Sequence, residues 1–372
     1  MDNTPIYVTR PTLPPLEEFE VYLKDIWERR VLTNGGKYHQ MLESELCNYL
    51  GVKHCSLFCN GMVALQIGLL ALRVSGEVIT TPFSFVATTH AIYWNNCSPV
   101  FCDIDPETFC LDPKKIESLI SPKTSAIMPV HVYGYPCNTE AIAKIADTYG
   151  LKVFYDAAHA FGVKKNDCSI LNAGDLSMLS FHATKIFNTF EGGALITDDP
   201  KLKRRIDYLK NFGFADETVV VAPGSNGKMN ELQAACGLLQ LKRIDKDIQM
   251  SKDLAMRYRA NLEGIDGIRF AQDINGVKHN YSYFPLLVDK NRFGKSRDDL
   301  YNEFKKHNIF TRRYFYPLIS HFSTYKDLPS ASQENLPEAE KIAEQIICLP
   351  IYPDLSFSDC DRISEIVVKM KS

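Results

Sequence analysis

Two segments of the chain hold residue types that could carry out amine chemistry. Asp156 follows the apolar run KVFY, where a buried strand ends, and Lys185 lies in a loop between two apolar strand-like segments. A lysine removed from water loses its charge more readily and can then act as a nucleophilic amine. For each residue alone the ordinary interpretation is favoured: a helix cap for Asp156, and an ammonium that reaches solvent for Lys185.

Together the two residues indicate a site for pyridoxal phosphate (PLP), because that chemistry needs an amine for the aldehyde and an acid for the pyridine nitrogen. The phosphate of PLP needs hydroxyls and amides. Ser180 supplies a hydroxyl, and Gly61, Met62 and Val63, at the start of a predicted helix, offer backbone amides at the positive end of a helix dipole. Phe85, in the loop PFSF, is placed to stack on the cofactor ring.

The elements around these residues alternate between strand and helix patterns. The strand candidates are HCSLFC, EVITTPFSF, SPVFCDID, TSAIMPVHVYG, LKVFYDAAHAFG, DLSMLSFHA and GALITD. Repeated strand–helix–strand units predict an α/β fold with a mostly parallel central sheet that is covered on both faces. Ligands in such sheets bind beyond the carboxyl ends of the strands, which is where Asp156, Ser180 and Lys185 are predicted to lie.

The pattern changes after Met229. A long helical stretch, either two helices or one bent helix, is followed by short strands and further helices, which predicts a smaller α+β domain. The length of 372 residues also favours two domains. We therefore expect a large PLP-binding domain with an N-terminal helical segment over residues 1–243, and a small C-terminal α+β domain over residues 244–372.

The composition is that of an ordinary globular protein. Hydrophobic residues make up 45%, charged residues 23%, and the net charge is −3. Neither a basic stripe nor an apolar run of membrane-spanning length is present, so we expect no nucleic-acid partner, no membrane partner and a cytoplasmic location. The 11 cysteines include no Cys-x-x-Cys pair, and we predict no metal site.

Three longer segments carry a resemblance to a known family. DAAHAFG at a strand end, the run SFHATKIFNTFEGGALITDD, and NGKMNELQAACGLLQL resemble the nucleotide-sugar aminotransferases of the DegT family, within the fold-type I (aspartate-aminotransferase-like) PLP enzymes. The resemblance extends over essentially the whole chain, including RRYFYPL and LPIYPDLS. It implies that Lys185 is the Schiff-base lysine and that Asp156 is the partner of the pyridine nitrogen.

The resemblance implies further cofactor contacts. It places His159 near the ring hydroxyl of PLP, Ser180 at the phosphate and Phe85 on the ring face. Asn226 matches an asparagine that reaches the phosphate from the neighbouring subunit, which implies a homodimer with shared active sites. Where the family usually has threonine after Asn-Gly, this chain has Met62, so one hydroxyl contact to the phosphate is missing.

Four residues are candidates for binding the substrate: His182, Tyr314, Tyr316 and His321. Each also has an ordinary interpretation, because aromatic residues in strands are more often packed in the core.

The activity that the resemblance implies is transamination, with glutamate as amino donor and a nucleotide-linked keto-sugar as acceptor. Amination of dTDP-4-keto-6-deoxyglucose at carbon 4, for surface polysaccharide such as the O-antigen of lipopolysaccharide, fits best, and amination at carbon 3 is the alternative. A related dehydration reaction is disfavoured because it uses histidine in place of Lys185. A non-catalytic regulator or binding protein with the same fold is the alternative from another class.

Overall fold

The computed structural model describes residues 4–371 of the chain. The elements up to residue 209 are, in chain order, β1 (Ile6–Tyr7), α1 (Leu16–Arg29), α2 (Lys37–Leu50), β2 (His54–Phe58), α3 (Gly61–Leu72), β3 (Glu77–Thr80), α4 (Ala87–Trp94), β4 (Ser98–Phe101), β5 (Thr124–Met128), α5 (Thr139–Tyr149), β6 (Lys152–Asp156), β7 (Lys164–Lys165), β8 (Cys168–Ser169), β9 (Leu176–Ser180), β10 (Gly193–Thr197) and α6 (Pro200–Leu209). The elements that follow are α7 (Glu231–Leu262), β11 (Ile268–Phe270), β12 (Val277–Lys278), β13 (Phe284–Val288), α8 (Lys290–Phe293), α9 (Arg297–Lys306), β14 (Ile309–Phe310), α10 (Pro337–Gln345), β15 (Ile346–Leu349) and α11 (Phe357–Lys371).

Seven strands form the central sheet, in the order β2, β10, β9, β6, β5, β3, β4. Strand β10 runs antiparallel to both neighbours, and the other pairings are parallel. Along β6, Phe154 belongs to one hydrophobic cluster while Val153 and Tyr155 belong to another. Since successive side chains of a strand point to opposite faces, both faces of the sheet are buried. The prediction of an α/β fold with a mostly parallel sheet is confirmed.

Close packing of α3 on the sheet sets the position of its first turn relative to the strands. A Cβ added to Gly68 would lie 2.5 Å from the ζ carbon of Phe154, so only glycine lets the helix approach β6 this closely. The approach sets the first turn of α3 beside the carboxyl ends of β6 and β9. Strand β10 runs in the reverse direction and begins at the same edge.

The C-terminal region is built on a smaller antiparallel sheet in the order β11, β13, β15. Helix α11 packs against α7 and α9, while α10 packs against β13. Helix α7 is one continuous helix of 32 residues, so of the two alternatives that the sequence left open, two separate helices is wrong.

Several elements cross the predicted domain boundary. Residue 243 falls inside α7, strand β1 pairs with β14, and β12 pairs with β7. The N-terminal strand and the C-terminal region are thus hydrogen-bonded to each other. The division at residue 243 stays a prediction.

Candidate active site

A cavity of about 600 Å³ opens at the carboxyl-terminal edge of the central sheet. The ends of β6 and β9, the first turn of α3 and the loop after β3 line it, together with Tyr283 and Tyr314 from the C-terminal region. This is the position that the topology of a mostly parallel sheet favours for a ligand site.

Asp156 ends β6 and is almost fully buried, with 4% of its surface exposed. Its Oδ2 accepts a hydrogen bond from the Thr88 hydroxyl at 2.7 Å, and its Oδ1 accepts one from the Ala158 amide at 3.0 Å. Burial raises the pKa of the Asp156 carboxyl, while Thr88, Ala158 and the charge of Lys185 favour its ionised form. The two hydrogen bonds fix the orientation of the carboxylate at the cavity wall.

Lys185 lies in the loop after β9, where its backbone amide donates to the carbonyl of His182 at 2.9 Å. The side chain lines the cavity, and its Nζ lies 3.1 Å from the hydroxyl oxygen of Tyr283. Burial lowers the pKa of Lys185 to about 8, and the nearby charge of Asp156 opposes this shift. Near neutral pH the amine therefore exists both as an ammonium and as a neutral nucleophile.

The first turn of α3 provides a place for an anion. Asn60 caps the helix, since its side chain accepts a hydrogen bond from the Val63 amide at 2.9 Å. Gly61, Met62 and Ser180 line the cavity beside it. The helix dipole and the free first-turn amides favour a phosphate here, and Ser180 adds a hydroxyl. The sulfur-containing side chain of Met62 adds no hydroxyl.

His159 and Phe85 also line the cavity. Nδ1 of His159 accepts a hydrogen bond from the Tyr133 amide at 3.1 Å, and burial holds the pKa of this histidine well below its usual value. The ring is thus neutral with its proton on Nε2, which makes it a hydrogen-bond donor. Phe85 lies in the loop after β3 and is 61% exposed. Its ring is therefore accessible for stacking on a ligand in the cavity.

Of the predicted substrate-binding residues, His182 and Tyr314 line the cavity. Tyr316 does not; its ring centroid lies 4.5 Å from the guanidinium carbon of Arg297 and 5.2 Å from that of Arg313. His321 is outside as well, where its Nε2 lies 2.7 Å from a carboxylate oxygen of Glu340.

Two predicted cofactor contacts also fall outside the cavity lining. The amide of Val63 already donates to the Asn60 side chain, so the predicted backbone amides that remain for a phosphate, beside the Ser180 hydroxyl, are those of Gly61 and Met62. Asn226 is exposed in the segment before α7, where it forms a β-bridge with Asn211. Within one chain it does not reach the cavity.

Among the residues at the site that escaped the sequence reasoning, Thr88 and Tyr283 make direct hydrogen bonds to Asp156 and Lys185. Thr88 sits in α4, directly after the loop that carries Phe85, and its hydroxyl also lies 3.1 Å from that of Ser84. A signal existed for Thr88, because it follows a predicted strand end by a few residues. Tyr283 precedes a strand of the C-terminal region, and no local pattern connects it to Lys185.

The residues that the structure describes also bear on metal binding and on membrane spanning. Between residues 4 and 371, no three or more His, Cys, Asp or Glu side chains are grouped so that they could hold a metal ion. Over the same residues, no helix is both long and apolar enough to cross a membrane.

The donors around the cavity fit PLP at each of its functional groups. Asp156 is a buried carboxylate for the pyridine nitrogen, His159 is a donor for the ring hydroxyl, and Lys185 is an amine of lowered pKa for the aldehyde. The phosphate is matched by the start of α3. A Cβ on Gly193 would lie 2.9 Å from the Cα of Gly61, so the absence of a side chain lets β10 approach this turn.

Comparison with known proteins agrees with this geometry. Residues 16–368 match the DegT/DnrJ/EryC1/StrS aminotransferase family. A dTDP-4-amino-4,6-dideoxy-D-glucose transaminase of Escherichia coli is 53% identical over 372 residues, covering 100% of this chain and 98% of the relative. The crystal structure of DesI in the presence of its TDP-sugar product superposes with a TM-score of 0.95 at 34% identity, covering 100% of this chain and 94% of DesI.

A further solved structure bears on the cofactor. NtdA of Bacillus subtilis with bound cofactor PMP superposes with a TM-score of 0.87 at 30% identity, over 96% of this chain and 82% of NtdA. These matches confirm the aspartate-aminotransferase-like PLP fold and PLP as the cofactor. This chain belongs to the DegT/DnrJ/EryC1/StrS aminotransferase family.

Proposed function

We propose that this aminotransferase transfers the amino group of glutamate to carbon 4 of dTDP-4-keto-6-deoxyglucose, giving dTDP-4-amino-4,6-dideoxyglucose for surface polysaccharide. The observation that carries the proposal is full-length identity of 53% to a relative named for that product, in a chain that keeps Lys185 and Asp156 at one cavity. A non-catalytic regulator would have no use for an amine of lowered pKa beside a buried carboxylate.

The cavity has a cofactor end, where Asp156 and Lys185 act, and a sugar end. PLP, when bound, supplies an electron sink for the amino-acid α carbon. Asp156 keeps its negative charge where the protonated pyridine nitrogen would lie and so stabilises that proton. Lys185 Nζ in its neutral form takes up the proton of the α carbon as a general base. As a general acid it would then deliver that proton to the cofactor carbon that keeps the amino nitrogen.

The sugar end of the cavity decides which carbon is aminated. The reacting carbon must lie beside Nζ of Lys185, and a small rotation of the hexose exchanges carbon 3 for carbon 4. His182, Tyr314 and Phe85 line the cavity and are the side chains we assign to this choice. Tyr316 and His321 lie outside the cavity lining, and their role as substrate contacts stays a prediction.

Product analysis tests the proposed function. The protein is loaded with PLP and incubated with glutamate and dTDP-4-keto-6-deoxyglucose, without an isomerase, and the product is identified by NMR. We expect an equatorial amine at carbon 4 together with an equal amount of 2-oxoglutarate, and no product from Lys185→Ala. Turnover only after a 3,4-ketoisomerase is added would replace the carbon 4 assignment by carbon 3.

We also propose a homodimer in which each cavity receives Asn226 from the partner subunit. The support is twofold: Asn226 is exposed and lies outside the cavity of its own chain, and the segment before it exposes several apolar side chains. These are Phe212, Phe214, Val219, Val220 and Val221, between 39% and 56% exposed. Apolar side chains clustered on a surface are typical of a contact with another protein.

A further inference from the structure

Tyr283 is the side chain of the C-terminal region that touches the reactive amine. It directly precedes β13, and its hydroxyl oxygen lies 3.1 Å from Nζ of Lys185. The residue is only 7% exposed, and in the part of the chain between residues 4 and 371 its hydroxyl has no other hydrogen-bond partner. A side chain from outside the central sheet therefore contacts the amine of Lys185 directly.

Neighbouring rings hold Tyr283 in place. Ring centroids of His159, Tyr133 and Tyr314 lie 4.8, 5.6 and 6.1 Å from its own. Tilted and edge-to-face contacts of this kind restrict the ring. The ring of Tyr283 also lies beside Lys185, with its centroid 5.7 Å from Nζ.

We propose that Tyr283 is a positioning residue that holds the Lys185 amine in both of its protonation states between proton transfers. A phenol suits this role because its oxygen accepts a hydrogen bond from an ammonium, and its O–H donates one to a neutral amine. Burial raises the pKa of Tyr283, so the phenol keeps its proton, whereas the pKa of Lys185, about 8, allows both forms of the amine. The proposal rests on the proposed aminotransferase function.

The first test removes the hydroxyl with Tyr283→Phe and needs no substrate. Cofactor-free protein is mixed with saturating PLP, and the first-order formation of the covalent link to Lys185 is followed by absorbance. We expect the rate to be about tenfold lower, because the loss of one hydrogen bond changes a rate by about this factor. Tyr258→Phe is the matched control, because that buried hydroxyl donates to the Pro350 carbonyl at 2.9 Å, away from the cavity. Equal rates for the two variants would contradict the proposal.

The second test follows the glutamate half-reaction in a single turnover with α-deuterated and ordinary glutamate. Tyr283→Phe should slow it about tenfold and enlarge the deuterium isotope effect, because proton transfer by a misplaced amine becomes more rate-limiting. The Tyr258→Phe rate should stay within about twofold of the parent. An unchanged isotope effect with a slower rate would mean a structural role only.

A double variant shows whether the hydroxyl acts through Lys185. Lys185→Ala is supplied with methylamine, which replaces the missing amine, and Tyr283→Phe is added to that background. We expect no further loss, since there is no lysine left to position. A loss as large as in the parent would show that Tyr283 acts on the cofactor or substrate instead. If the proposed function is wrong, the parent protein gives no aminated sugar or does not react with glutamate. The rate at which Lys185 captures the cofactor needs neither substrate, so it still tests the role of Tyr283.

Discussion

At the scale of single residues, Asp156 acts through its negative charge, whereas Lys185 acts through an amine that gains and loses a proton. Asp156→Asn keeps the volume and an oxygen that accepts a hydrogen bond, but it removes the charge that stabilises a protonated pyridine nitrogen. We expect kcat to fall about 10²–10³-fold, with circular dichroism unchanged. Asp175→Asn is the control: this carboxylate accepts from the Val153 amide at 2.9 Å, outside the cavity. A kcat for Asp156→Asn near that of the control would refute its role.

The pKa of Lys185 gives a second prediction, on the pH dependence of cofactor capture. Only the neutral amine attacks the aldehyde, so the capture rate of cofactor-free protein should rise with pH and level off above about 8. The charge of Asp156 raises the pKa of Lys185, so in Asp156→Asn the midpoint should move to lower pH. Stopped-flow absorbance across the pH range measures both midpoints. A midpoint at the ordinary lysine value would show that burial does not act as described.

At the scale of elements, the start of α7 holds together the loops around the cavity. Glu231, with a fully buried side chain, accepts hydrogen bonds from the Tyr38 and His39 amides at 3.1 and 2.8 Å, which caps the start of α2. Two residues further on, Gln233 donates to the carbonyls of Cys59 and Glu191 at 3.2 and 2.7 Å. One helix end thus fixes α2 and the loops that follow β2 and precede β10.

Removal of this cap is the third prediction. Glu231→Ala leaves two buried amides without their acceptor and removes one of the two carboxylates that contact Arg29, the other being Asp25. We expect the free energy of unfolding to fall by about 2–3 kcal/mol. Glu231→Gln keeps one acceptor oxygen and should lose less. Glu45→Ala, on the exposed side of α2, is the control and should change stability by less than about 0.5 kcal/mol. Denaturant unfolding followed by circular dichroism measures all three, and equal stabilities for Glu231→Ala and the control would show that the cap is unimportant.

At the scale of the whole molecule, the proposed shared sites predict complementation between two inactive variants. In a mixed dimer of Lys185→Ala and Asn226→Ala, one site has both defects and the other has neither. Random exchange of subunits should therefore restore about a quarter of the sites. Activity is measured before and after the subunits are separated and re-associated. Mixtures no more active than either parent, when Asn226→Ala alone is severely impaired, would argue against shared sites.

The sequence by itself determined the chemistry and the type of fold. Asp156 and Lys185 stand beside strong strand patterns, and alternating strands and helices can bury both sheet faces only in a mostly parallel arrangement. The edge of the sheet where these residues meet follows from strand direction alone. The sequence therefore predicts that four residues lie together, and all of them line one cavity: Asp156, His159, Ser180 and Lys185.

Only the tertiary structure decided which distant side chains support that chemistry. The contacts of Asp156 with Thr88, of Lys185 with Tyr283 and of Glu231 with His39 join residues 68, 98 and 192 positions apart. Sequence periodicity reports the side of an element that is buried, but it does not report the partner that it meets. That choice depends on how whole elements pack, and it places Tyr283 at the Lys185 amine while leaving Asn226 outside the cavity of its own chain.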